Sequence, residues 1–175
     1  MKELIKRLTR ALLTPWRKRY RKRNGMVSSQ PRLELPNEAW LGEVSQLLSE
    51  GKPYAIYVKG YSMRPFIEHT RDRVFLEKHD SYNVGDAVLA EISKGHYVLH
   101  RIIRMEGDRL TLQGDGNVRG VEHCMAADVR GVVTAYIRPN RTISADDPCL
   151  KRRIRIWRAL RPIRRYLLFI YKAVV

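Results

Sequence analysis

Two hydrophobic periods follow one another along this chain. From Asn37 to Gly51, apolar residues recur at helical spacing, with Asn37 suited to the N-cap and Gly51 to the C-terminal stop. After Gly51 the period becomes alternating, and Gly- and Asn-containing turns separate the segments. The predicted strands are YAIYV, RVFLE, DAVLAEI, HYVLHRIIR, RLTLQ and VRGVVTAYIR. The pattern predicts a mainly β domain preceded by one helix.

Both ends of the chain combine basic with apolar residues at helical spacing. Residues 1–24 and residues 151–175 each carry a net charge of +9, whereas residues 25–150 carry −2. We therefore divide the chain into a basic amphipathic arm with a linker (1–29), a central β domain (30–142) and a second basic amphipathic arm (143–175). Met26 is an alternative start, which would remove the first arm.

The arms have three interpretations. They are solvated tails or helices packed on the core, interfacial helices on an anionic membrane surface, or nucleic-acid-binding segments. The apolar stripes favour the membrane surface over nucleic acid. No signal peptide is recognisable, and the longest apolar run, Tyr166–Tyr171, is far shorter than a membrane span. We expect a cytoplasmic protein that is peripherally associated with a membrane.

The cysteines and histidines do not indicate a disulfide framework, a metal or a cofactor. Cys124 and Cys149 are too few for a disulfide scaffold. His96, His100 and His123 lack the spacing of a zinc site. We expect no metal and no cofactor.

The segment KGYSMRPF, residues 59–66, predicts a stiff corner after the first strand. Gly60 permits a turn, and Pro65 fixes its own φ and restricts Arg64. Ser62 would lie on that corner, either as an ordinary turn residue or as a nucleophile that needs a base.

Two further segments are ambiguous when each is considered alone. His100 lies within an apolar strand, where a structural histidine is the commoner interpretation. Residues 114–117, GDGN, have the composition of a hairpin turn. Arg101, next to His100, is either structural or a contact for the substrate backbone.

The order and spacing of these segments resemble the signal peptidase I superfamily of S24/S26-like serine peptidases. The G-x-S-M-x-P corner, the His-Arg-Ile strand thirty-eight residues later and the G-D-x-N turn together resemble the His-type branch of archaeal and eukaryotic secretory signal peptidases. The segment NVGDAVLAEI is similar to the G-D-x-V strand of the family. The resemblance spans about Leu47 to Arg138 and implies a coiled β-ribbon barrel of the signal peptidase or LexA type.

The resemblance implies a serine endopeptidase that uses a Ser-His dyad or triad. Ser62 would be the nucleophile and His100 its general base. The family places another Asp after G-D-x-N, but here the nearest acid is Glu122, so Asp115 and Glu122 are alternatives for the third role. Backbone N–H groups of the corner, around Gly60, Ser62 and Met63, would bind the oxyanion and substrate.

The resemblance also implies a peptide or protein substrate, which would lie extended along strand edges with small residues before the cleaved bond. Family members usually carry a transmembrane anchor, in whose place this chain has basic arms. Two alternatives remain: a LexA-like regulatory or catalytically inactive relative, and a basic nucleic-acid-binding protein on the same scaffold. Against the first, the linker GMVSSQPRLELPN contains no Ala-Gly self-cleavage site, and no helix-turn-helix precedes the core.

Overall fold

A computed structural model describes residues 37–174 of the chain, and the side chains of residues 40–171. It contains three α-helices: α1 (Asn37–Ser49), α2 (Pro148–Ala159) and α3 (Arg164–Val174). The strands are β1 (Tyr54–Tyr57), β2 (Arg73–Glu77), β3 (Ala87–Ser93), β4 (His96–Glu106), β5 (Arg109–Gln113), β6 (Glu122–Met125), β7 (Val129–Arg138) and β8 (Arg141–Ser144). Short 3₁₀ turns precede β7 and α3, at Ala126–Asp128 and Arg161–Ile163.

The strands form one antiparallel sheet in the order β1-β2-β7-β3-β4-β5-β6, with β8 paired to β7. The mainly β class predicted from the alternating pattern is confirmed. The expected barrel is corrected: among the described strands, β1 pairs only with β2 and β6 only with β5, so the sheet does not close. Closure needs hydrogen bonds between the two end strands.

All six strands predicted from the sequence are present, and the structure adds β6 and β8. Both additional strands have only four residues. Unlike the equally short β1, which consists of apolar and aromatic residues, β6 buries one residue and β8 buries none, so neither shows a recognisable apolar alternation. Of the two, β6 bears on the candidate chemistry because it begins with Glu122.

Helix α1 ends where the sequence predicts. Gly51 has a φ of +75°, in the left-handed region. Its N–H donates to the carbonyl of Leu48, and the Lys52 N–H donates to that of Leu47, both at 3.0 Å. These two bonds form a Schellman motif, which favours glycine at the left-handed position and turns the chain into β1.

Apolar side chains pack on both faces of the sheet. The larger cluster joins α1, the corner after β1 and the two C-terminal helices to one face, and the smaller cluster lies among β3–β7 on the other. In β3 the two faces are visible in neighbouring residues: Leu89 belongs to the larger cluster and Val88 to the smaller one. Side chains of both faces of the central strands are therefore removed from water.

The basic C-terminal segment is helical, and its apolar side is largely buried. The Asp147 carboxylate accepts the Leu150 N–H at 2.8 Å and caps α2. Pro162 lies in the short turn where α2 has ended and α3 has not begun. The buried side chains of the two helices are Leu150, Ile154, Trp157, Arg164, Leu167, Leu168 and Tyr171. The apolar members Leu150 to Leu168 belong to the larger cluster of the sheet.

The N-terminal arm proposed for residues 1–29 lies outside the described residues. Among residues 37–174, no helix combines the length and apolar character needed to cross a membrane. Cys124 is buried in β6, Cys149 is exposed at the start of α2, and neither forms a disulfide.

Candidate active site

Ser62 lies on a compact corner between β1 and β2. Gly60 has a φ of +93°, and its N–H donates to Nδ1 of His69 at 2.7 Å. The Phe66 and Ile67 N–H groups both donate to the Met63 carbonyl, at 3.1 and 3.0 Å. Ser62 itself is half-buried. The corner is therefore fixed by local hydrogen bonds on both sides of the serine.

The three residues predicted to bind the oxyanion and substrate, Gly60, Ser62 and Met63, do not all have a backbone N–H group available for this role. The Gly60 N–H is already donated to His69, and the Met63 side chain is buried in the core. Within residues 37–174, no hydrogen bond uses the backbone N–H of Ser62 or of Met63. As far as the described residues go, those two donors are available to bind an anionic oxygen.

The GDGN segment after β5 packs directly on this corner. The Gly116 N–H donates to the Ser62 carbonyl at 2.6 Å. A Cβ on Gly114 would lie 2.5 Å from the Ser62 carbonyl oxygen, and one on Gly116 would lie 2.6 Å from that of Tyr61. Only glycine permits such a close approach of two backbones. The segment predicted as a turn thus also holds the serine corner.

His100 is bound to Glu122. Its Nδ1 lies 2.8 Å from Oε2 of Glu122, and the histidine side chain is 7% exposed while that of the glutamate is 28% exposed. β4 supplies the histidine, and β6 begins at the glutamate. An Nδ1–H that donates to a carboxylate fixes the tautomer in which Nε2 is the basic nitrogen.

Asp115 is bound to Arg101 instead. The guanidinium donates three hydrogen bonds of 2.6–3.0 Å to this carboxylate and a fourth, at 2.7 Å, to the Gly85 carbonyl. Both side chains are almost fully buried. Burial is the largest single influence and acts to lower the pKa of the Arg101 guanidinium, but the charges and hydrogen bonds of Asp115 and Tyr136 together outweigh it, so the net pKa is raised. Of the two interpretations of Arg101 given by the sequence, these contacts support the structural one.

The structure thus distinguishes the two acids by position. Glu122 reaches the His100 ring, and Asp115 neutralises a buried arginine. Within the described part of the chain, no hydrogen bond joins Ser62 Oγ to His100. The pairing of this serine with this histidine remains a prediction, for which the sheet provides partial support. Arg101, which follows His100, pairs with Gln113, and Gln113 precedes the GDGN segment that touches the Ser62 corner.

Side chains of the C-terminal helices form hydrogen bonds to the GDGN segment and to the corner that carries Ser62. Sequence analysis did not predict these contacts. Trp157 Nε1 donates to the Asp115 carbonyl at 2.8 Å, and Arg164 donates to the Asn117 carbonyl at 3.3 Å. The Tyr171 hydroxyl donates to Glu68, a buried residue of the corner. Burial, and then this hydrogen bond, raise the pKa of Tyr171. Contacts of this range leave no local signal in the sequence.

Glu68 also connects to the serine turn through Arg64. Its Oε2 lies 2.8 Å from Arg64 Nη2, and the Arg64 guanidinium lies 4.2 Å from the centroid of the exposed Tyr61 ring. The spacing of Arg64 and Glu68, four residues apart, is the one signal of this network that the sequence contains.

An antiparallel β domain with a serine on a glycine-supported corner and a histidine–carboxylate pair defines a serine-peptidase-like class. The family model described as Peptidase S24-like matches residues 33–132, more than half of the chain. The chain belongs to the Peptidase S24-like family, which includes peptidases and non-catalytic regulators. No curated protein matches the chain.

Proposed function

We propose that the protein is a serine endopeptidase in which Ser62 is the nucleophile, His100 the general base and Glu122 the orienting acid. The observation that carries the proposal is the 2.8 Å bond between His100 Nδ1 and Glu122. It holds a mostly buried imidazole in the tautomer that a serine nucleophile requires. Membership of the family supports peptidase chemistry as the reaction class.

In the proposed reaction, His100 Nε2 takes the Ser62 hydroxyl proton as Oγ attacks the peptide carbonyl. The tetrahedral oxyanion accepts hydrogen bonds from the backbone N–H groups of Ser62 and Met63. The imidazolium is stabilised by Glu122 and returns the proton to the leaving amine, which leaves an acyl-enzyme. Water then attacks the ester, with His100 again acting as the base, and restores the free serine.

The sheet supports an extended substrate. β1 is an end strand of the sheet, paired only with β2 among the described strands, and it leads directly into the Ser62 corner. A peptide that adds to the free edge of β1 would run towards the serine. The preference for small residues before the cleaved bond rests on the family resemblance and is part of the proposal.

A peptide-library cleavage assay tests the assignment with Ser62→Ala, His100→Ala and a control, His96→Ala. His96 lies on the same strand but is exposed, so its removal should leave cleavage unchanged. Loss of the nucleophile or the base should lower kcat by about 10⁴-fold or more, and the double variant should lose little beyond either single variant. Cleavage that survives in Ser62→Ala contradicts the proposal.

A further inference from the structure

Helix α3 has two different faces. Its inner face buries Leu167, Leu168 and Tyr171 against the rest of the domain. Its outer side, including the turn just before it, exposes three large apolar side chains at i, i+3 and i+6: Ile163 is 45% exposed, Tyr166 62% and Phe169 76%. Phe169 is the most exposed of the large apolar side chains in the described residues. The three side chains form one patch, which we call the α3 outer face.

The surroundings of the α3 outer face are strongly basic. Residues 148–175 contain nine Lys or Arg and no acid. Arg161 and Arg165 flank the patch and are exposed, and neither has a carboxylate partner among residues 37–174. The Arg165 guanidinium lies 5.8 Å from the centroid of the Tyr166 ring. The surface therefore presents apolar side chains surrounded by unneutralised positive charge.

This combination limits what can cover the face. The N-terminal arm is itself apolar and basic, but residues 1–24 carry a net charge of +9 and would be repelled. A second copy of the same helix would be repelled for the same reason. Nucleic acid would neutralise the arginines, but phosphates offer nothing to Ile163 and Phe169. An anionic lipid surface complements both features, because headgroups pair with the arginines and the acyl boundary accepts the apolar side chains.

We propose that the α3 outer face docks on an anionic lipid bilayer, with Ile163, Tyr166 and Phe169 entering the headgroup boundary and Arg161 and Arg165 contacting lipid phosphates. The proposal does not depend on peptidase activity. It also assigns a smaller contact surface than the composition suggests, because most of the other apolar side chains of the C-terminal segment are buried in the protein core.

The test measures partitioning of the full chain onto phosphatidylcholine vesicles with and without phosphatidylserine. Replacing all three apolar residues of the face by Ser should weaken binding to the anionic vesicles at least 10-fold. A control variant, Val84→Ser with Met125→Ser, removes other exposed apolar side chains and should bind as the wild type does. Arg161→Gln with Arg165→Gln should lower affinity by about 5-fold per cation, and by less in high salt.

A site-specific signal separates this face from the N-terminal arm. An environment-sensitive dye on Phe169→Cys, in a Cys149→Ser background, should shift to the blue with anionic vesicles, whereas the dye on Met125→Cys should not. Unchanged melting temperatures would show that each variant is folded. Equal vesicle binding of the wild type and the triple Ser variant overturns the proposal. A triple Ser variant that loses binding to duplex DNA but retains lipid binding also overturns it and favours nucleic acid.

Discussion

Exchanging Asp115 for Asn should destabilise the fold, whereas exchanging Glu122 for Gln should mainly remove activity. Both substitutions keep the shape of the side chain and remove its charge. Asp115→Asn leaves the fully buried Arg101 guanidinium without its counter-charge. Breaking a buried ion pair on one side costs about 3–5 kcal/mol. For a chain of this size, that corresponds to a fall in melting temperature of roughly 6–20 °C.

For Glu122→Gln we expect the opposite result, a small effect on stability and a large effect on activity. The carboxylate is 28% exposed, so solvent partly screens this pair, and its loss should cost less stability than the loss of the fully buried Asp115–Arg101 pair. In the proposed mechanism, however, an amide at this position favours the wrong histidine tautomer. The corresponding Asp-to-Asn change in a serine-protease triad lowers kcat by about 10⁴-fold. We therefore expect a near-native melting temperature and a large loss of kcat with KM little changed.

The chain offers a matched control for the melting-temperature prediction on Asp115→Asn. The Asp146–Lys151 pair has the same 2.6 Å separation as the Asp115–Arg101 pair, but its carboxylate side chain is 87% exposed. Asp146→Asn should leave the melting temperature almost unchanged, because solvent screens that pair. Thermal unfolding and steady-state cleavage of the three variants are the measurements. A wild-type melting temperature for Asp115→Asn, or wild-type kcat for Glu122→Gln, would refute the assignment of the two acids.

The packing supports two further predictions. Gly116→Ala should lower both cleavage and stability, because the new Cβ would lie 2.6 Å from the Tyr61 carbonyl oxygen. The control Gly42→Ala, within α1, has room for a Cβ and should stabilise the fold by about 0.5–1 kcal/mol. Equal effects of the two substitutions on the free energy of unfolding in urea titrations would contradict this prediction. Cys149 should react with a disulfide reagent at pH 8 long before Cys124, because burial, with the nearby charge of Asp128, raises the pKa of the Cys124 thiol to about 11. Simultaneous reaction of both thiols at pH 8 would argue against a buried Cys124. The same raised pKa means that the neutral thiol contributes stability below pH 9, and this stability is lost as the pH rises through about 11.

The long alternating segments made most of the sheet predictable from the sequence. β4 and β7 carry enough alternations to define strands without tertiary information. β6 does not, because only Cys124 of its four residues is buried. The same short strand supplies Glu122, so the acid that contacts His100 could not be identified before the fold was known.

The role of Asp115 was ambiguous for a related reason. His100 and Arg101 are neighbours on β4, and both are buried because the two faces of the sheet are both covered. Alternation cannot distinguish a buried arginine from an exposed one when neither face meets water. The partner of Arg101 therefore appears only once β5 is placed beside β4.

The contacts made by the C-terminal helices have a consequence for the order in which the molecule folds. The Tyr171–Glu68 hydrogen bond spans 103 residues of chain, and the Trp157–Asp115 bond spans 42. Contacts of such separation form late, because the loop they close must first lose its conformational freedom. The hairpins of the sheet can form before the C-terminal helices make these contacts to the corner that carries Ser62. The candidate active site would then be the last part of the domain to reach its final structure, because the helices that support it are synthesised after the segments they contact.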